Sequence, residues 1–190
     1  MASLLFTFYF LLLRARQNFM SLQNLRLISP NEELKAEFLA MAQEYLNHGD
    51  DYYKYALENF DSYLNNARRI ERGLNLPPHM VQESIFWLHG ERRIFGRSGL
   101  RHRLTPALEQ IGGHIGYDVR PSERRKGYGS LILELTLEKA KNLGLRRVLI
   151  TCDTDNIGSA KIIEKNGGKL SAQEFLDTTG KMISRYWIEI

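Results

Sequence analysis

One cysteine, Cys152, stands among 190 residues. No intrachain disulfide can form, and a reducing, cytoplasmic setting is the simpler expectation. The five histidines (His48, His79, His89, His102, His114) show no metal-ligand spacing and have no cysteine partners, so no metal site is expected. The apolar run at residues 4–13 has ten residues and ends at Arg14 and Arg16; a membrane-spanning helix needs about 20. Basic residues do not precede the run and no small-residue cleavage site follows, so it does not read as a secretory signal. Residues 1–21 read most simply as an extension outside the fold, with Met20 as an alternative start. The functional alternative is a weak membrane or partner contact. Repeats and low-complexity linkers are also missing, so residues 22–190 are expected to form one domain.

The formal net charge is +4 and the pI about 9.2. That excess suits anionic ligands without choosing among nucleic acid, acidic membrane and phosphorylated cofactor. Element signals follow in order. A short strand lies at residues 25–28. Asn31, Glu32 and Glu33 open a helix that stops near Gly49. A second helix is expected over residues 51–70, where Leu57, Phe60, Leu64 and Ala67 make one stripe. Strands at 84–88 and 93–98 flank a turn at 89–92. Residues 101–108 read as an irregular connection. Ile115, Tyr117 and Val119 alternate with Gly116 and Asp118. A helix covers 130–143, and Val148, Leu149 and Ile150 form a central strand buried on both faces. A second cap, Asn156, starts a helix ending near Gly167, and two strands complete the chain. The fold class is α+β.

The stretch Arg124-Arg125-Lys126-Gly127-Tyr128-Gly129-Ser130 joins the 115–119 strand to the next helix. Three basic side chains and two glycines at a helix start suit a phosphate group. The first-turn N–H groups lack internal partners, and the helix dipole favours negative charge there. It is not a Walker loop, because no Gly-Lys-Ser/Thr has the required spacing. It is not a dinucleotide fingerprint either, since the third glycine is missing. Arg92, Arg93, Arg97, Arg101 and Arg103 would have to supply a nucleic-acid patch, yet they alternate with apolar residues in strands, and no nucleic-acid motif is present.

Arg124-x-x-Gly127-x-Gly129 resembles motif A of the GCN5-related N-acetyltransferases, the GNAT superfamily. The string from Asn156-Ile157-Gly158-Ser159-Ala160 to Asn166-Gly167-Gly168 resembles motif B. Residues 113–124, with 100–104 upstream, are similar to a branch of largely uncharacterised bacterial predicted acetyltransferases. The resemblance implies the GNAT fold, a central mixed and mostly antiparallel sheet with helices on both sides. It implies acetyl-CoA as co-substrate, an amine acceptor, and no nucleic acid; a homodimer is compatible. The pyrophosphate would lie on backbone N–H groups of Arg125, Lys126, Gly127, Tyr128, Gly129 and Ser130, with charge from Arg124, Arg125 and Lys126. The strand carrying Tyr117 and Val119 would splay from the next strand and pair with the pantetheine arm, and an N–H near Tyr117 would polarise the thioester. Asn156 would touch the pantetheine as well as cap its helix.

Two positions depart from the familiar pattern. Gly113 stands where histone-acetylating members carry a glutamate, and Ile163 where many have a tyrosine acid. His114, Asp118 and Glu109 are the nearby substitutes as proton acceptors, each with a structural reading beside the catalytic one. A site relying on orientation, with water taking the proton, is the other route. Cys152 reads as core, lacking a base. The absent glutamate and tyrosine also admit a non-catalytic CoA-binding or interaction module. The residues at 31–70 and Arg101-His102-Arg103 would border the acceptor, which their charge suggests is acidic.

Overall fold

Seven strands form two sheets, as described by a computed structural model over residues 24–190. The expectation for residues 1–21 lies outside the described residues. The first sheet has the order β1 (Arg26–Ile28), β2 (Glu83–Gly90), β3 (Arg93–Arg101), β4 (Ile115–Val119). The second has the order β5 (Arg147–Asp153), β7 (Lys181–Glu189), β6 (Lys169–Leu176). Every paired strand is antiparallel. The β2–β3 turn places Glu91 and Arg92 at positive φ, 48° and 64°. That geometry matches the right-handed twist of the flanking strands.

Helices lie on both faces of the first sheet. On one face, α1 (Lys35–Asn47), α2 (Lys54–Glu58) and α3 (Phe60–Glu71) bury an aromatic cluster. Phe38 stacks on Trp87 of β2 at 4.7 Å and meets Tyr53 edge-on at 5.4 Å. On the other face α5 (Tyr128–Asn142) sets Ile132 against Leu27 and Leu88. Helix α6 (Ile157–Lys165) adds Ile163 to a second core with Val148, Ile150 and Leu133. Val148, Leu149 and Ile150 are buried as their continuous apolar run implies.

Two details differ from the expectation drawn from pattern alone. The helix expected over 51–70 is two helices, broken at Asn59 (φ −150°, ψ 87°), whose side chain accepts the Ser62 N–H. Asparagine competes for the backbone and starts a new helix more readily than it continues one. The irregular connection contains a short helix, α4 (Pro106–Gln110), capped by Thr105 with proline in its first turn. The splay implied for the 115–119 strand is present, since β4 and β5 are not ladder neighbours. Its cause is local: Gly113 holds φ 61°, and a Cβ there would collide with the Leu149 carbonyl. His114 donates its N–H to the Leu149 oxygen at 2.7 Å. Its Nδ1 accepts the Leu149 N–H at 2.9 Å. The imidazole thus occupies a ladder position, and no backbone ladder joins the rest of β4 to β5.

Candidate functional site

The turn into α5 is built to leave donors free. Arg125 (φ 63°) and Gly127 (φ 91°) are both left-handed, and Gly127 is the helix cap without a side-chain bond. From residue 125 to 129 no backbone N–H meets an acceptor among the described residues, whereas Ser130 donates to the Gly127 carbonyl at 3.1 Å. Such alternation makes a concave set of donors, and α5 adds the positive end of its dipole. The loop is anchored from below. Buried Glu123 takes Arg93 at 2.8 Å and Lys126 at 2.9 Å. Arg120, 4 % exposed, pairs with Glu37 and Glu44 of α1. Glu44 also accepts the Ser122 hydroxyl at 2.7 Å.

The three basic side chains separate in role. Lys126 is committed to Glu123 and the Ser122 carbonyl. Arg124 donates to the Val119 carbonyl at 3.2 Å and lies over the Tyr45 ring at 5.5 Å. Arg125 is exposed and makes no hydrogen bond among the described residues. Ser130 meets the Asn166 amide at 3.2 Å, tying α5 to α6. Tyr128 packs on Phe95 at 4.7 Å between centroids. Gly129 is buried where a Cβ would stand 2.7 Å from Ile162, so the two helices meet closely there.

The opening between β4 and β5 begins where the His114 contact ends. Tyr117 faces α6 and reaches the Ser159 hydroxyl at 2.9 Å; burial pushes its phenol up to about 12, so it remains protonated near neutrality. Exposed Asn156 caps α6 by accepting the Ser159 N–H at 3.0 Å. Cys152 is half-buried beside them, and burial raises its thiol, so the unreactive protonated form prevails.

The opposite face of β4 carries Gly116 and Asp118 toward α1–α3. Asp118 accepts the Tyr45 hydroxyl at 2.7 Å and the Tyr53 hydroxyl at 2.8 Å. The residue is half-buried overall, with the carboxylate end enclosed. Burial raises its pKa, while Arg97 and the two hydroxyls oppose that rise. Both tyrosines are raised in turn, by burial first and the Asp118 charge second. Arg97, the cross-strand neighbour of Asp118 and 8 % exposed, donates to the Tyr52 hydroxyl at 3.1 Å. The structural reading of Asp118 therefore has full geometric support: it ties two helical segments to β4. His114 is 7 % exposed, and burial, then Arg101 and Arg147, lower its pKa. With Nδ1 already accepting a backbone N–H, it has no free lone pair for a substrate proton. Glu109 is exposed on α4. Of the bordering basic residues, Arg101 is held by the Gly112 and Gly113 carbonyls, both at 3.1 Å, while Arg103 is exposed beside Arg72 in a shallow polar pocket.

Sequence reasoning missed Tyr45, Tyr53 and the Arg120–Glu37–Glu44 group. Their partners lie 65 to 83 residues away, and no local period reports a contact at that range.

A family model described as Acetyltransferase (GNAT) domain matches residues 24–169. No curated protein matches the chain significantly. Several solved structures share its fold. RimL, a ribosomal L7/L12 alpha-N-protein acetyltransferase in complex with coenzyme A, superposes with TM-score 0.66 at 17% identity, over 88% of this chain and 94% of that one. The Microcin C7 self-immunity acetyltransferase MccE, in complex with acetyl-CoA and AMP, gives 0.66 at 14%, over 88% and 93%. Mycobacterium smegmatis RimJ, in complex with CoA-disulfide, gives 0.67 at 15%, over 87% and 85%.

Proposed function

The chain belongs to the GNAT acetyltransferase family, and we propose that the turn at 124–130 and the β4–β5 opening together form its acetyl-CoA site. The protein is an acetyl-CoA-dependent N-acetyltransferase; acetyl-CoA supplies an activated acyl group whose carbonyl an amine attacks. The N–H groups of residues 125–129 bind the pyrophosphate, with Arg125 as the uncommitted cation beside it. Tyr117 and Val119 lend the free edge of β4 to the pantetheine arm, and Asn156 borders it. An N–H near Tyr117 stabilises the oxyanion that develops on the thioester. Acetyl passes directly to a primary amine of a small molecule or protein. RimL, by its description, acts on a protein α-amine, so peptide α-amines belong in any acceptor panel. We further place the catalytic domain at 22–190 and the protein in the cytoplasm, the latter on the single cysteine. Among the described residues no helix is long and apolar enough to cross a membrane.

The observation that carries the cofactor assignment is the run of unpartnered N–H groups at 125–129, opening beside a strand edge without a ladder. Calorimetry with CoA tests it. Gly127→Val, which forces a branched side chain into the left-handed region, should lower affinity by about 100-fold. Arg125→Ala should lower it by about tenfold, the loss of one charge-assisted contact. Unchanged affinity in both variants would remove the assignment. Binding without transfer to any amine would instead favour a CoA-binding module.

A further inference from the structure

On the face of β4 opposite α5, a slot opens over Gly116 and is flanked by the side chains that lean over its neighbour Gly99. Gly99 of β3 and Gly116 of β4 are direct cross-strand partners, about 5 Å apart, so both present hydrogens on the same side. A Cβ on Gly116 would meet no atom within 4 Å. A Cβ on Gly99 would collide with Glu83 Oε1. The Glu83 carboxylate, on β2, therefore leans over Gly99 into the side of this slot. Its side chain is only 20 % exposed. The nearest cations are Arg97 Nη2 and Arg101 Nε, both at 3.9 Å, beyond hydrogen-bond distance. Among the described residues no donor bonds the carboxylate. Half-buried and held only by these two longer ion pairs, the carboxylate keeps acceptor capacity for an incoming donor.

The surrounding groups are otherwise engaged. On β4, Asp118 holds Tyr45 and Tyr53, and His114 holds Leu149. From β3, Arg101 is bound to the 112–113 carbonyls and Arg97 to Tyr52. His102, after β3, meets the Ser84 hydroxyl at 2.9 Å. Glu83 alone among these acids has free acceptor capacity beside the strand that borders the thioester site.

Resting on the acetyl-CoA site proposed above, we infer that Glu83 is the catalytic base: it anchors the acceptor as an ammonium ion in the Gly99–Gly116 slot and takes its proton. An R–NH3+ group gives one proton to the carboxylate, directly or through one water. The neutral nitrogen attacks the thioester carbon, forming the C–N bond, and the C–S bond breaks. The second nitrogen proton passes to the departing thiolate, and Glu83 returns its proton to solvent. The products are an amide, CoA thiol and one proton. A floor of two glycines admits an amine on an unbranched carbon.

Steady-state kinetics over a panel of peptide α-amines, lysine side-chain amines and spermidine, followed by thiol release, tests this. Glu83→Gln should lower kcat by about 100- to 1000-fold while leaving CoA affinity and Tm near wild type. Its remaining rate should climb with pH in proportion to free amine, where the wild type levels off. Glu83→Asp should restore part of the rate. Gly116→Ala, with open space at its Cβ, should fold normally and raise acceptor KM. A Glu83→Gln enzyme with wild-type kcat and pH profile overturns the inference while leaving the cofactor reading intact. A wild type that binds CoA but acetylates no amine overturns the transfer reading, and this inference with it.

Discussion

At Asp118 one carboxylate holds two tyrosine hydroxyls from separate helical segments and faces a buried arginine across the sheet. Its replacement by alanine leaves two buried hydroxyls without an acceptor and Arg97 without its neighbouring charge. Breaking such a set by removing one partner costs about 3 kcal/mol. Urea denaturation of Asp118→Ala should show a loss of that order, with Tyr45→Phe costing about 1 kcal/mol. His114 gives the pH dependence. Its folded pKa is depressed, so protons prefer the unfolded chain. The stability it contributes is complete above about pH 6.5, the unperturbed value, and is lost as the pH falls. Urea midpoints at pH 7.5 and pH 5 should therefore separate more for the wild type than for His114→Gln. Equal separation would deny the ring its role between the sheets. Gly113 explains one departure from the familiar members. A positive φ and a carbonyl against the Cβ position leave no room for glutamate. The sequence shows that the acid is missing there, whereas the packing shows why.

Among the elements, the split between α2 and α3 depends on one cap. Asn59→Ala should cost about 1 kcal/mol, read as a lower Tm with little change in helix content. A larger fall in helical signal would mean that α3 needs the cap to form at all. Most elements were legible beforehand, because buried faces impose periods of 3.6 or 2 on apolar residues such as Leu64, Ala67, Tyr117 and Val119. The break at Asn59 was not, because the same stripe runs through both helices and period alone cannot register a change of axis. The turn into α5 was legible too: its signal is a contiguous string, and Gly127 has the left-handed φ of 91° that favours glycine. The face proposed for the acceptor was not visible as one unit, although residues 31–70 and 101–103 were expected to border it. It is assembled from β2, β3, β4 and the segment after α1, so no window of the sequence contains it.

On the scale of the whole molecule, two antiparallel sheets meet through a short contact at His114 and then part. A ligand lying between them supplies backbone pairing that the protein lacks, so CoA should stabilise the fold as a linked equilibrium. At about 100 times Kd the gain is about 2.7 kcal/mol. Thermal unfolding with and without CoA measures it, and hydrogen exchange should show new protection at 115–119 and 150–153. Protection confined to the 125–130 turn would place the pantetheine arm elsewhere. A protein beginning at Met20 should keep the Tm and acetyl-CoA turnover of the full chain, as expected if residues 1–21 lie outside the domain.

The amino-acid sequence by itself determined the order of most elements, the α+β class and the glycine turn that opens α5. Each is written in neighbours a few residues apart, where sterics, caps and side-chain period act. The tertiary structure alone decided how the sheet parts, through the packing of Gly113 and the His114 contacts to Leu149. It also decided that Lys126 is held by Glu123 while Arg125 makes no hydrogen bond among the described residues, and that His114 and Asp118 are hydrogen-bonded while Glu83 has only longer ion pairs. Those outcomes depend on which polar groups find partners across long separations in the chain. A lone pair's availability is a property of its surroundings in space.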